Sequence, residues 1–365
     1  DSLSTKLKYL LLSECHITAV CFSTQADHLV IGGSAEGNVV IWDLRQDPSS
    51  QAMQLGESLQ LGLTPRFPSL CTHHSPESTN LNHSSAILSI SSLAVTQTTS
   101  AHATSPSTAN QRQSQASRSF DGSLNFASVD DRGLLCFWLL SELEEVDNGV
   151  TSTNPIDSKL KLVCSRTLPL KSVYGDMKGD KIGFDELLVK LLSPGPCLTG
   201  VAFYPWNTNH FLSQHMDGRL IHESRFGDAG APRSFNTSTN LDELFSDTSQ
   251  LLKSKVTCID FSPFNSGIFL VGYEDGSVRL YHYSSSSPRT SWEPHCFIDK
   301  DPATSTSTST KKRHAECGDD RSIIQLHWSA HRPSVFFVLD SLSCLHVFDL
   351  LKDEAYPIIS ERLEQ

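Results

Sequence analysis

No apolar run in the 365-residue chain reaches the roughly 18 residues that a membrane-spanning helix needs. Positive charge is scarce: 29 Lys and Arg face 41 Asp and Glu, for a net charge of −12. Such a balance disfavours nucleic acid and anionic membranes, both of which call for a basic face to displace counterions. Among ten cysteines there is no Cys-x-x-Cys pair, which removes the simplest zinc and thiol-redox motifs. Cys21, Cys136 and Cys258 fall inside apolar stretches and are expected to be buried, reduced thiols. There is no phosphate loop of the Gly-x-x-x-x-Gly-Lys-Ser/Thr form and no Gly-x-Gly-x-x-Gly after a strand. A Gly-x-Ser-x-Gly elbow and a His-Glu-x-x-His pair are missing too, so nucleotide chemistry, acyl transfer and zinc hydrolysis lose their usual signatures. Of the fifteen histidines, His73, His74 and His282 lie at strand ends or in polar, turn-rich sequence, where solvated or hydrogen-bonding roles are expected. The reading is of a chain with no catalytic residue, no cofactor and no metal.

What the chain has is a repeated pattern. Residues 256–283 hold three short alternating apolar runs separated by breakers: 256–261, then Ser262-Pro263-Phe264-Asn265-Ser266-Gly267, then 268–273, then Glu274-Asp275-Gly276, then 277–283. This predicts an antiparallel meander, with Gly276 supplying a positive φ at the tight turn. Counted from Phe261, Gly276 lies 15 residues on and Tyr281 lies 20 on. The same offsets from Phe22 reach Gly37 and Trp42, from Phe203 reach Gly218 and Glu223, and from Trp328 reach Ser343 and Phe348. Gly133 and Trp138 keep the five-residue interval behind an insertion. Five occurrences at irregular separations are what stacked repeats with variable connectors produce.

Along the chain, 7–12 reads as an outer strand of a preceding repeat. Inner strands are expected at 16–23, 28–34 and 38–44; 86–95, 124–129 and 134–140; 197–204, 210–215 and 219–224; and 323–329, 335–340 and 344–350. Outer strands are expected near 53–61, at 160–167 and from 356. The segments 96–119 and 301–314 are dominated by small polar residues and are expected to be disordered loops, since they cannot bury enough apolar surface to offset ordering. Residues 184–191 place apolar side chains at i, i+3, i+4 and i+7, which predicts a short amphipathic helix packed on the domain's own edge; 241–252 is a second candidate. Lys311-Lys312-Arg313 reads as part of a solvated loop, and the sequons at Asn82 and Asn236 as accidental.

Five meanders, each followed by room for a fourth strand, predict an all-β propeller in which radial packing buries both faces of each sheet. The Trp42-Asp43 ending and the turn glycines resemble WD repeats. Gly37, Gly133, Gly218, Asp275 and Gly276 then shape turns, Trp42 and Trp138 fill the sheets, and Asp43 and Asp349 accept hydrogen bonds at strand ends. One domain over 1–365 is expected, a piece of a longer protein since it begins at Asp1, with seven blades in the whole ring.

Several patches, taken in order, resemble the dynein intermediate chains, nearest to the larger ones of cytoplasmic dynein 2. They are Trp42-Asp43-Leu44-Arg45, Asn82-His83-Ser84-Ser85, Ala127-Ser128-Val129-Asp130 with Phe137-Trp138, Asp260-Phe261-Ser262-Pro263-Phe264 with Gly276-Ser277-Val278-Arg279-Leu280, and Trp328-Ser329 through Phe348-Asp349-Leu350-Leu351. That resemblance implies a non-catalytic subunit of the motor of retrograde intraflagellar transport, in the cytoplasm, cytoskeleton, cilium and ciliary base. It implies that the propeller binds the dynein heavy chain beside a second intermediate chain. It further implies light chains held through an N-terminal region not present here, and intraflagellar transport particles as cargo. Arg45, Arg279 and Arg332 are the charged candidates for the heavy-chain contact. Glu223 in place of an aromatic residue, Phe348 in place of tryptophan and the two Ser/Thr-rich insertions depart from the pattern. The alternative is a general scaffold of the same fold, such as a ubiquitin-ligase substrate receptor.

Overall fold

Short alternating runs broken by turn residues fold here into five four-stranded antiparallel sheets. The computed structural model describes residues 8–46, 64–74, 83–93, 123–142, 160–170, 198–216, 218–227, 230–235, 254–294 and 321–363. Strand β1 (Tyr9–Leu11) leads to sheet I, made of β2 (Ile17–Phe22), β3 (Leu29–Ser34), β4 (Val39–Asp43) and, past β5 (Thr64–Arg66), β6 (Leu70–Cys71). Sheet II runs β7 (Ile87–Leu93), β8 (Leu124–Asp130), β9 (Leu134–Glu142) and β10 (Leu160–Pro169). Sheet III takes β11 (Leu198–Tyr204), β12 (Asn207–His215), β13 (Leu220–Ser224) and β14 (Ser234–Phe235). Sheet IV takes β15 (Val256–Phe261), β16 (Ile268–Tyr273), β17 (Val278–His282) and β18 (Thr290–Trp292). Sheet V takes β19 (Ile323–Trp328), β20 (Val335–Asp340), β21 (Cys344–Asp349) and β22 (Ile359–Arg362). Among the described residues the helical content is one 3-10 turn, Thr72–His74.

The first strand of every sheet carries a register shift after its first residue, as between Ile17 and Ala19 or between Ile323 and Gln325. Such a bulge sharpens the local twist and re-aims that first side chain. Two of these residues meet a notch in the preceding sheet. A Cβ at Gly33 would stand 2.5 Å from Ile87 Cγ2, and one at Gly272 would stand 2.7 Å from Ile323 Cγ2. Glycine in the second strand is therefore what lets the next sheet dock so closely.

The chain divides into two compact units, Asp1–Lys171 and Ser172–Gln365. In the first, Leu29, Ile31, Val39 and Ile41 of sheet I bury against Ile87, Leu124, Phe126 and Trp138 of sheet II. In the second, sheets III and IV share Leu212, Phe235, Phe269 and Tyr281, while sheets IV and V share Leu270, Trp292, Trp328 and Phe336.

Several sequence expectations need correction. Within the 7–12 segment, β1 pairs in parallel with β5, a partner the sequence reading did not foresee, and the Trp42 indole N–H donates to Leu12 O at 2.9 Å. Leu11 packs with Val30, Val40 and Trp42, so β1 covers that face of sheet I. The fourth strand of sheet I is Leu70–Cys71, with Ile41 opposite Leu70; residues 53–61 lie outside the described residues. Strand β12 begins at Asn207 rather than 210, because Tyr204 pairs with Asn207 across a two-residue turn. Cys136 is buried, but Cys21 and Cys258 are half-buried, since each lies on the first strand, at the sheet's free edge. The 96–119 and 301–314 segments, the 184–191 and 241–252 helices and the 311–313 basic run all lie outside the described residues.

Candidate interaction surface

The turn residues reached by the 15-residue count, together with Gly133 behind its insertion, occupy the same backbone position in every sheet. Gly37 (φ 86°), Gly133 (80°), Gly218 (80°) and Gly276 (81°) are left-handed, and so is Ser343 (61°). Each donates its N–H to the carbonyl three residues back: Ser34, Asp130, His215, Tyr273 and Asp340. A left-handed residue closing such a turn is the bulged hairpin geometry expected between twisted strands. At Gly37 a Cβ would strike the His83 carbonyl, and at Gly276 the Arg321 carbonyl. Both carbonyls belong to the chain leading into the next sheet.

Sheet II wraps this turn around a buried polar chain. The Trp138 indole N–H donates to Ser128 Oγ at 2.7 Å, Ser128 Oγ lies 2.7 Å from His83 Nε2, and His83 Nδ1 lies 3.1 Å from Asp130 Oδ2. The ionised carboxylate can only accept, so His83 Nδ1–H donates to Asp130, while Ser128 Oγ, which accepts from Trp138, meets Nε2 at the other side of the ring. Asp130 Oδ1 accepts the Leu134 N–H at 2.7 Å. Burial pushes the Asp130 carboxyl up, but the hydrogen bonds from His83 and Leu134 outweigh it and hold the group below its ordinary value of 3.8.

Serine, histidine and aspartate in hydrogen-bonded series are also the parts of a hydrolase site. Here Ser128, His83 and Asp130 are all sealed from solvent, and the serine oxygen is occupied by Trp138. A nucleophile that no substrate can reach is a structural hydroxyl. Among the described residues no group of three or more His, Cys, Asp or Glu is placed to hold a metal.

The remaining sheets fill the equivalent positions differently. In sheet III, Ser213 Oγ donates to Glu223 Oε1 at 2.9 Å and lies 3.3 Å from His215 Nε2, so the glutamate that replaces the aromatic residue is a hydrogen-bond acceptor. In sheet IV, Tyr273 and Tyr281 share a hydroxyl contact of 3.1 Å. Phe269 stacks on Tyr281 in sheet IV, and Phe336 stacks on Phe348 in sheet V at 4.8 Å. Asp43 Oδ1 accepts the Arg45 N–H at 2.9 Å, Asp349 Oδ1 accepts the Ser334 hydroxyl at 2.7 Å, and Asp275 Oδ1 accepts the Ser277 N–H at 2.8 Å.

The three arginines do not form one cluster. Arg45 Nη2 is engaged at 2.9 Å by Asp43 and at 3.1 Å by Glu142, an ion pair joining sheets I and II. Arg279 lies over the Tyr273 ring, 4.4 Å from its centroid, near the Gly276 turn. Arg332 is exposed in the turn between β19 and β20. The sequence reading passed over His83, Ser128 and Asp130 as a set; a serine five and an aspartate three residues before the turn glycine are the local signal for them.

The WD domain, G-beta repeat family matches residues 7–43 and 246–282, the second covering the opening of sheet IV. The chain carries WD40 repeats in an all-β, propeller-like fold. Its repeats are 28% identical over 359 residues to Cytoplasmic dynein 2 intermediate chain 1 of Mus musculus, which covers 96% of this chain and 30% of that protein. The Homo sapiens protein of the same name is 27% identical over 358 residues, 97% of this chain and 29% of that one. The WD-repeat chain thus spans less than a third of the length of these curated relatives. Among solved structures it is similar to the β-propeller domain of Myceliophteria thermophila Cps50 (Swd1), at TM-score 0.48 and 11% identity over 93% of this chain and 66% of that one. Chaetomium thermophilum Raptor gives TM-score 0.48 and 10% identity over 97% of this chain and 21% of that one.

Proposed function

We propose that this WD-repeat chain is the propeller part of a dynein-2 intermediate chain, a non-catalytic subunit that grips the tail of the dynein heavy chain and serves retrograde intraflagellar transport and cilium assembly. The observation that carries this reading is identity sustained over 96% of the chain with a protein of that name, rather than confined to the two matched repeats. A second intermediate chain, light chains bound upstream and transport particles are the further partners, met in the cytoplasm and at the cilium and its base.

Arg45 and Arg332 both lie exposed in turns, but Arg45 is committed to Asp43 and Glu142 and Arg279 lies over the Tyr273 ring, so Arg45 and Arg279 serve contacts within the fold. Mass spectrometry of proteins co-purifying with the full-length chain from ciliated cells tests the reading. Dynein heavy and light chains are expected, and cullin adaptors in their place would replace it with the ubiquitin-ligase scaffold.

A further inference from the structure

The three sheets of the second unit expose their large apolar side chains mainly at one end. Trp206 and Phe264 stand in the turns between first and second strands, and Phe226, Tyr283, Leu351 and Tyr356 stand in the turns between third and fourth. Phe226 is 64% exposed and Leu351 85%. The opposite ends of the same sheets expose, among the described residues, Met216, Ile324 at the start of β19 and, beyond the last strand, Leu363. Scattered surface apolar residues are ordinary; their segregation to one end is the informative feature.

The turns between first and second strands are also held to one another. Trp206 packs edge-on against Phe261 at 5.7 Å and against Tyr204 at 5.0 Å, which joins sheet III to the start of the Phe264 turn. Sheet IV joins sheet V through Asp260, whose Oδ2 accepts the Trp328 N–H at 2.7 Å and whose carbonyl accepts the Trp328 indole at 3.3 Å. Arg332 follows four residues later. Anchors fixed in this way lose little side-chain freedom on binding.

Charge at this end runs against the chain's average. The protein carries −12 overall, yet the described turn residues offer Arg225, Arg233, Arg289, Arg332 and Lys352 against Asp353 and Glu354. The corresponding turn of sheet I in the first unit, which follows the exposed Phe22, is polar and bonded to β7: the Thr24 N–H donates to Ser92 Oγ at 3.0 Å and Gln25 Nε2 donates to Leu93 O at 2.8 Å.

We propose that this end of the second unit is the seat of an amphipathic helix with apolar anchors and an acidic flank, the anchors lying across Trp206 and Phe264 and the flank facing Arg332. For the identity of the helix this rests on the heavy-chain reading above; the surface is argued from the turns alone. Full-length chain bearing Phe264→Glu and Arg332→Glu is compared with wild type and with a Met216→Ser, Glu274→Lys variant of the opposite end, by heavy-chain tail recovered on co-expression. A loss of about tenfold or more is expected for the first pair, the scale of a central anchor, and none for the second. An unchanged thermal unfolding midpoint accompanies the loss, since neither Phe264 nor Arg332 is buried. Equal recovery by all three proteins would overturn the surface and leave the heavy-chain reading standing. No recovery by wild type would overturn both.

Discussion

Sheets II and V use the same turn around different chemistry. In both, a buried aspartate three residues before the left-handed position ties down the N–H groups of the turn: Asp130 binds Leu134, and Asp340 binds Leu342 and Cys344. In both, the cross-strand pair behind it is aromatic, Phe126 opposite Trp138 and Phe336 opposite Phe348. The histidine differs. His83 arrives from the chain leading into sheet II and threads Ser128 to Asp130, whereas His346 comes from within sheet V, 3.4 Å from Asp340 and 2.9 Å from Ser360. Both sheets keep a polar link and a stacked aromatic pair, but only in sheet II are the two joined, through the Trp138 indole N–H on Ser128, whereas the Phe348 ring has no polar atom to satisfy. The fold demands the turn and the volume, not one set of side chains.

The comparison is broken most severely at the rings. Trp138→Ala and Phe348→Ala are each expected to cost about 3–5 kcal/mol in urea unfolding, as large cavities do. Trp138→Phe should nevertheless cost more than Phe348→Leu, because it also removes the indole N–H that Ser128 Oγ accepts. Equal losses would mean that the polar chain adds nothing to sheet II.

Asp130 sharpens the contrast at lower cost. Asp130→Ala takes the carboxylate from the Leu134 N–H and from His83 Nδ1, at about 1–3 kcal/mol for a buried group. The wild-type carboxyl is held below 3.8 in the folded state, so its contribution is present above pH of about 4 and is lost as pH falls through the lower folded value. Unfolding midpoints of the wild type should therefore fall on acidification in a window that Asp130→Asn lacks.

The smallest effects lie in the turns. Gly37→Ala should destabilise by about 1–2 kcal/mol for the left-handed backbone alone. Ser343→Gly relieves about 1–2 kcal/mol of left-handed strain and gives back about 0.4–1 kcal/mol in unfolded-chain entropy, for a small net stabilisation. Thermal midpoints of the two variants, expected to shift in opposite directions, provide the check.

Much of this is legible in the sequence, and for a physical reason. A left-handed residue and an aromatic residue five positions later are local requirements of one hairpin, so counting from Phe261 finds them even where Ser343 stands instead of glycine. The polar chain of sheet II is harder to read because His83 and Asp130 are 47 residues apart and meet only after the sheets stack. Strand β14, with two residues, and β18, with three, are too short to show alternation. Strand β1 reads as a strand, but its parallel partner, Thr64–Arg66, includes a proline and carries no strand signal of its own. The aromatic residues at one end of the second unit look, in sequence, like isolated turn residues; only the alternation of strand direction brings them to the same side.

Gly37 and Gly276 each lie where a methyl group would collide with a carbonyl of the following sheet, whereas Ser343 already bears a side chain at the same torsion. The five turns are therefore unequal as places to lose function. A missense change at residue 37 or 276 is a lesion of two sheets at once, propagated through a seam between repeats. At 343 the turn already accommodates a side chain, and its carbonyl accepts the Leu363 N–H at 2.8 Å, so a small substitution there meets no such collision among the described residues.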